Sequence, residues 1–151
     1  MRPVRLDQLI HEAIEGMRAL ANARSVRIGA AIPPAPPAAL TNPEKTQRVL
    51  FNLIDNAVRH TPAAGGVTVS LAVEAAALAV EVADSGACID PAERDRVFEP
   101  LFRGGARAAR PSDGAGLGLP ICRAIVRNLG GEIRLVESER GARVRFTLPR
   151  A

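Results

Sequence analysis

Two pairs of β-type segments in this chain are joined by connections too short to contain a helix. Residues 67–71 and 78–82 are separated by an alanine-rich bend, and segments at about 132–137 and 142–148 meet at a turn formed by 139–141. Parallel neighbours need a crossover of about a dozen residues or more, so each of these pairs is expected to be antiparallel. A sheet built from them is therefore antiparallel or mixed.

Three other segments carry apolar residues at helical spacing. The predicted helices cover residues 5–23, about 42–60 and 117–129. Thr41 or Asn42 can cap the second helix, whereas Gly130 and Gly131 are expected to end the third. The predicted buried face of the second helix consists of Val49, Leu50, Leu53, Ile54 and Ala57.

The remaining segments complete a single-domain prediction for residues 1–151. Residues 26–30 alternate as in a strand, and the four prolines within 33–37 favour an extended loop, with an interdomain linker as the alternative. A short helix is expected at 91–98 and a mobile loop at 104–113. The predicted fold is a two-layer α/β sandwich, with about five mostly antiparallel strands and about three helices on one face.

Composition excludes several classes of protein. No stretch approaches the roughly 20 uncharged apolar residues that span a bilayer, and the first residues do not resemble a secretory signal. The chain is therefore expected to be cytoplasmic, without membrane contact by this segment, and the cytoplasmic part of a membrane-bound protein is the alternative. Cys88 and Cys122 lack the spacing of a zinc site, and neither a metal cluster nor a disulfide is expected from them.

The basic charge is spread along the chain. The formal net charge is +4, and the sequence contains four Phe but neither Trp nor Tyr. Binders of nucleic acid more often combine a concentrated basic stripe with aromatic residues for stacking. We therefore expect no nucleic-acid partner, and we favour a small phosphate-bearing ligand.

Two motifs predict where that ligand binds. Asn52 and Asn56 lie one helical turn apart on one face of the second helix, and Arg59 follows three residues later, where it contacts either phosphate or solvent. About sixty residues later, Gly114–Leu119 opens the third helix with three glycines whose backbone N–H groups can surround an anion. Neither a Rossmann nor a P-loop context surrounds these glycines.

These motifs belong to a series that resembles the catalytic and ATP-binding domain of bacterial sensor histidine kinases, of the GHKL superfamily. Four boxes occur in the order of that family, and the match covers nearly the whole chain. They are an asparagine box at 52–61, a first glycine box at 84–89, a phenylalanine box at 98–104 and a second glycine box at 114–119.

The resemblance implies a role for each box in binding ATP and Mg²⁺. Asn56 would ligate the metal, and Asp84 would accept a hydrogen bond from the adenine amino group. A strand-end Asx turn is the structural alternative for Asp84. Cys88 departs from the usual second glycine of its box, which could weaken nucleotide binding. The other expected nucleotide-binding residues are Gly86, Ile89, Phe98, Phe102, Gly114, Gly116, Leu117, Gly118 and Leu119.

The same resemblance implies a protein histidine kinase of two-component signalling, with a response regulator acting downstream. Related ATPases carry a glutamate base where this chain has Asn52, and an amide cannot accept that proton, which favours phosphoryl transfer over hydrolysis. His11 is expected to lie on a helix surface, so the acceptor histidine belongs to a separate dimerisation domain. The alternatives are a degenerate module that docks partners and an anti-sigma-type serine kinase.

Overall fold

The computed structural model describes residues 1–85, 118–136 and 141–151. The helices within these ranges are α1 (Leu6–Ala23), α2 (Pro43–His60) and α3 (Gly118–Asn128). Each coincides with a predicted helix to within one or two residues. The predicted short helix at 91–98, the loop at 104–113 and most of the turn at 139–141 lie outside the described residues.

Strands from both halves of the chain form the main sheet. The described strands are β1 (Arg2–Val4), β2 (Arg27–Ala31), β3 (Ala39–Thr41), β4 (Gly66–Val73), β5 (Ala77–Asp84), β6 (Ile133–Val136) and β7 (Arg143–Pro149). Five of them pair in the order β2-β4-β5-β7-β6. The two predicted hairpin pairs, β4–β5 and β6–β7, are antiparallel, as is β5–β7. The prediction of a mostly antiparallel sheet of five strands is confirmed.

The exception is the parallel pairing of β2 with β4, in which Ile28 lies opposite Val67. A parallel pair needs a long crossover, and the chain between these strands contains the proline-rich loop, β3 and the whole of α2. The loop therefore returns the chain to the same core, and the alternative of an interdomain linker is wrong.

A second, two-stranded sheet was missed by sequence analysis. Its strands β1 and β3 have three residues each, and Val4 pairs with Ala39 in antiparallel register. The end of the chain reaches the same place, because the backbone N–H of Ala151 donates to the carbonyl oxygen of Ala38 at 2.9 Å. Such short strands depend on tertiary contacts, so they leave no periodic signal in the sequence.

The core lies between one layer of helices and one face of the sheet. Alternate residues of the central strands face it, among them Val69, Val80 and Phe146, all at most 1% exposed. Every residue of the predicted α2 stripe is also buried. α2 packs between α1 and α3 and also against β4 and β5. The two-layer prediction is thereby confirmed.

Glycines end α3 as predicted. Gly130 has φ of 87°, the left-handed conformation in which glycine is favoured at a helix end. Its N–H donates to the carbonyl oxygen of Arg127 at 3.1 Å, and the next N–H, that of Gly131, donates to Val126 at 3.0 Å. The chain then enters β6 at the sheet edge.

Candidate functional site

The helix α2 holds the two predicted asparagines in a defined orientation. Its N-cap is Asn42, whose side-chain oxygen accepts the backbone N–H of Lys45 at 3.0 Å, and Pro43 occupies the first turn. With the apolar stripe locked into the core, Asn52 and Asn56 lie half-buried at the edge of that stripe. The predicted placement of both amides on one side of one helix is confirmed.

Asn56 has an amide that makes no hydrogen bond to any residue within the described ranges. An asparagine in the middle of a helix is less favourable than alanine by about half a kcal/mol, and no contact there compensates for it. An amide oxygen is a hard, neutral ligand of the kind that Mg²⁺ accepts together with phosphate oxygens. The chemistry of this residue therefore fits the implied metal. No group of three or more His, Cys, Asp or Glu side chains that could hold a metal alone occurs in the described ranges.

Asn52, by contrast, lies close to another protein side chain. It is near the thiol of Cys122 on α3, and that thiol donates to the carbonyl oxygen of Val49 at 3.9 Å. Burial raises the pKa of Cys122 to about 12, an effect that the neighbouring Asn52 amide and the charge of Arg48 only partly offset. The thiol is therefore protonated at neutral pH, and it links α2 to the helix that follows the second glycine box.

Arg59 lies one turn beyond Asn56, near the end of the same helix. Its Nε lies 3.0 Å from Oδ1 of Asp55, and the two side chains are 32% and 38% exposed. Arg24 fixes the backbone here, because its Nη2 donates to the carbonyl oxygen of Arg59 at 2.8 Å. A partly exposed pair of this kind is weak, so the guanidinium can exchange partners. A phosphate contact by Arg59 stays a prediction.

Asp84 ends β5 as a buried carboxylate, 7% exposed. Its Oδ1 accepts the backbone N–H of Ala142 at 3.2 Å, and its own N–H donates to the carbonyl oxygen of Ala142 at 2.9 Å. The next residue, Ser85, accepts the N–H of Gly66 through its hydroxyl at 3.0 Å. The corner formed by Asp84 and Ser85 is therefore held on one side by the residue before β7 and on the other by the first residue of β4.

The end of α2 and the Asp84 corner are neighbours. Gly65 lies between them, and a Cβ at this position would come within 2.5 Å of Thr61 Cγ2 and 2.7 Å of Ser85 Oγ. Thr61 is itself held by a 2.7 Å hydrogen bond from its hydroxyl to the carbonyl oxygen of Ala57. The fold thus brings the asparagine box and the first glycine box together. The close approach at Gly65 was missed, since a Gly-Gly pair after a helix indicates only a turn.

The second glycine box is described only where α3 begins. Gly118 is the first helical residue, and Leu119 packs half-buried against the core. The other predicted ligand-binding residues lie outside the described residues: Gly86, Ile89, Phe98, Phe102, Gly114, Gly116 and Leu117. Cys88, the departure from the usual glycine, also lies outside them.

An open groove of about 580 Å³ separates α1 from the first half of α2. Leu9 and Phe51 supply apolar lining, Asn52 lies at its edge, and Arg48 is accompanied by the acidic Glu12 and Glu44. Two carboxylates beside one guanidinium do not suit a phosphate group. Sequence analysis missed the groove because each of its walls is an ordinary helix surface.

A search for membrane-spanning helices found none among the described residues. His11 is exposed on α1, away from the buried stripe of that helix, as expected.

The comparison with family models places this architecture among known proteins. Residues 41–151 match the model described as "Histidine kinase-, DNA gyrase B-, and HSP90-like ATPase". The matched region contains α2, Asp84 and the start of α3.

Sequence relatives extend the likeness to almost the whole chain. The adaptive-response sensory kinase SasA of Synechococcus sp. (strain JA-3-3Ab) is 34% identical over 147 residues, which cover 95% of this chain and 38% of SasA. The chain thus spans less than two-fifths of the length of this relative.

Solved structures agree with the fold. The mycobacterial sensor histidine kinase MprB superposes with a TM-score of 0.83 at 26% identity, covering 99% of this chain and 97% of that one. Full-length ShkA, solved in complex with AMPPNP, superposes with a TM-score of 0.86 at 29% identity, covering 99% of this chain and 31% of ShkA.

Proposed function

Because this chain belongs to the family of histidine kinase-, DNA gyrase B- and HSP90-like ATPases, we propose that it binds ATP with Mg²⁺ and donates the γ-phosphoryl group to a histidine. The histidine belongs to a separate dimerisation domain, and a response regulator receives the phosphoryl group afterwards. Residues 1–151 act as one catalytic domain in this scheme.

The observation that supports the proposal best is the Asn56 amide, which has no hydrogen-bond partner among the residues that the structure describes and belongs to a helix whose end lies beside the buried Asp84. Asp84 would accept the adenine amino group, and Asn56 would contribute an oxygen to a metal bound to the phosphates. Mg²⁺ supplies positive charge that offsets the charge of the phosphate oxygens. In this arrangement the adenine base would lie at the end of β5, and the phosphates would lie along α2.

Asn52 supports transfer over hydrolysis. An amide cannot remove a proton from water, and this amide lies beside the protonated Cys122 thiol, which is no base either at neutral pH. Attack on the γ-phosphorus is then left to an imidazole nitrogen, which forms the new N–P bond as the bond to the ADP oxygen breaks. The likeness to SasA, named as a sensory kinase, agrees with this assignment.

A calorimetric titration with a non-hydrolysable ATP analogue, with and without Mg²⁺, tests the proposal. Asn56→Ala is expected to reduce the gain in affinity that Mg²⁺ provides by about tenfold, because one metal ligand is lost. Asp84→Asn is expected to weaken binding with or without Mg²⁺, since its amide can present a donor to the adenine amino group. Asn22→Ala, which removes an exposed asparagine from α1, is the matched control and should leave both values unchanged.

Transfer is measured separately by supplying the dimerisation domain of a related kinase with labelled ATP. An acid-labile product indicates phosphohistidine, whereas an acid-stable one indicates the serine kinase alternative. If Mg²⁺ raises the affinity of the Asn56→Ala variant as much as that of the wild type, the assignment of Asn56 as metal ligand is wrong. A folded chain that binds no nucleotide would favour the degenerate docking module.

A further inference from the structure

We infer that Gly141 and Ala142, immediately before β7, are positioning residues that hold the Asp84 carboxylate where it selects adenine over guanine. The inference rests on the proposed role of Asp84 in nucleotide binding. Ala142 and Asp84 are 58 residues apart in sequence, so nothing in the local pattern around Asp84 reveals the connection.

Ala142 holds both the backbone and the side chain of Asp84. Its carbonyl oxygen accepts the Asp84 N–H at 2.9 Å, and its N–H donates to Asp84 Oδ1 at 3.2 Å. Both residues are buried, with exposures of 5% and 7%. A backbone donor aimed at one carboxylate oxygen fixes the rotation of the whole group, because the two oxygens share a plane.

Gly141 makes this approach possible. Its φ is 67°, and a Cβ built there would lie 1.7 Å from the Asp84 carbonyl oxygen and 2.9 Å from Ser85 Cα. Both obstacles are backbone atoms, which cannot swing aside as a flexible side chain can. Any side chain at Gly141 must therefore push the Asp84–Ser85 corner away from β7.

Base selectivity depends on where that corner lies. Adenine presents an amino donor where guanine presents a carbonyl oxygen, so a carboxylate at this edge accepts a bond from adenine and repels guanine. Hydrogen bonds weaken steeply as distance and angle depart from ideal values. A corner displaced by Gly141 substitution loses the adenine bond and the guanine repulsion together, so its clearest signature is a changed ratio of affinities.

The test compares dissociation constants for ADP and GDP, with Mg²⁺, by calorimetry on folded protein. Gly141→Ala is expected to reduce the preference for ADP by about tenfold. Two matched controls separate this effect from general damage. Gly131→Ala places a Cβ equally close, 1.7 Å, to the carbonyl oxygen of Thr147, and Gly130→Ala imposes similar strain at φ of 87° with 3.4 Å of clearance. Both controls are expected to lose stability and keep the wild-type ratio.

Ala142→Pro provides a second variant in case Gly141→Ala does not fold. It deletes the N–H that Asp84 Oδ1 accepts and puts the ring Cδ in the direction of that oxygen, so the carboxylate must move and the same loss of preference is expected. An unchanged ratio in a folded Gly141→Ala or Ala142→Pro protein overturns the inference. Asp84→Asn, measured alongside, separates failure of this inference from failure of the proposed role of Asp84. If it loses the preference while these variants keep it, Asp84 still binds adenine and only the inference fails. If it keeps the preference, the assignment of Asp84 fails and the inference with it.

Discussion

Asn52 and Asn56 show how position within the fold separates two identical side chains. Both lie half-buried on α2, one turn apart. Asn52 lies near the Cys122 thiol of α3 and at the edge of the groove beside α1, whereas the amide of Asn56 has no partner in the described ranges. The first therefore contributes to helix packing, and the second is available to a ligand.

The buried thiol of Cys122 should make stability depend on alkaline pH. Burial is the main reason that its pKa is about 12 in the folded protein, against an ordinary value of 9.0. Below pH 9 the thiol is protonated in both states, so its contribution to stability is fully present. As pH rises from there toward 12, only the unfolded chain ionises, and that contribution is lost.

Cys122→Ala removes this titration. At pH 8 the variant is expected to be less stable than the wild type, because it leaves a small cavity and loses the hydrogen bond from the thiol to the carbonyl oxygen of Val49. Between pH 8 and pH 11 the gap in unfolding free energy should narrow by about 2 to 3 kcal/mol, measured by urea denaturation. Other alkaline groups are common to both proteins and cancel. A difference in unfolding free energy that stays constant with pH would contradict the raised pKa of Cys122.

At the scale of elements, the two long helices begin differently. α2 has an asparagine cap with a side-chain hydrogen bond, whereas α1 begins at Arg5 with no side-chain cap. α2 carries the candidate ligands Asn52 and Asn56. A fixed first turn therefore also fixes the direction in which these later side chains point. Thr41 and Thr46 strengthen this start through a buried hydroxyl pair at 2.8 Å.

Replacing the cap of α2 should therefore cost more than replacing its counterpart in α1. Asn42→Ala is expected to lower the unfolding free energy by about 1 kcal/mol, because the Lys45 N–H loses its acceptor. Asn42→Ser should recover most of the loss. Arg5→Ala, at the equivalent position of α1, should change stability by less than about half as much, since it removes only the surface pair with Asp7. Equal losses of unfolding free energy in urea denaturation would contradict the expectation that the side-chain cap makes the start of α2 the more sensitive one.

At the level of the whole molecule, the family model matches a shorter part of the chain than the part that builds the core. The matched region begins at residue 41, yet α1 buries Leu6, Ile10, Ala13 and Ile14 against the remainder. β2 also covers the outer edge of β4. The segment before residue 41 is therefore part of the same core, in agreement with the 99% coverage of this chain by MprB.

A fragment of residues 41–151 is accordingly expected not to fold cooperatively. Each lost Leu or Ile contact costs about 2 to 5 kcal/mol, and the sum exceeds the roughly 5 to 15 kcal/mol by which domains are stable. Removing only residues 1–4, which deletes β1, should lower the melting temperature and preserve a single transition. Far-UV circular dichroism is the suitable measurement, because the chain has no Trp or Tyr. A sharp transition in the 41–151 fragment would refute the expectation.

Features that depend on near neighbours along the chain could be predicted from the sequence. Helical periodicity predicted α1, α2 and α3, the short connections predicted the antiparallel pairs, and the spacing of Asn52 and Asn56 predicted their shared face. The four boxes also indicated the correct family. Local backbone geometry and burial of an apolar stripe explain this success, because both are encoded within about twenty residues.

Tertiary structure alone decided the contacts between distant segments. Four such contacts are the β1–β3 sheet, the hydrogen bond from Cys122 to Val49, the close approach at Gly65 and the contacts of Gly141 and Ala142 with Asp84. Each joins residues that no local pattern connects. In the sequence Gly141 is an ordinary turn residue, whereas in the fold the carbonyl oxygen of Asp84 lies 1.7 Å from the position that its Cβ would take. The physical reason is that close packing is set by atoms meeting across the folded core, and one strand or helix does not carry that information.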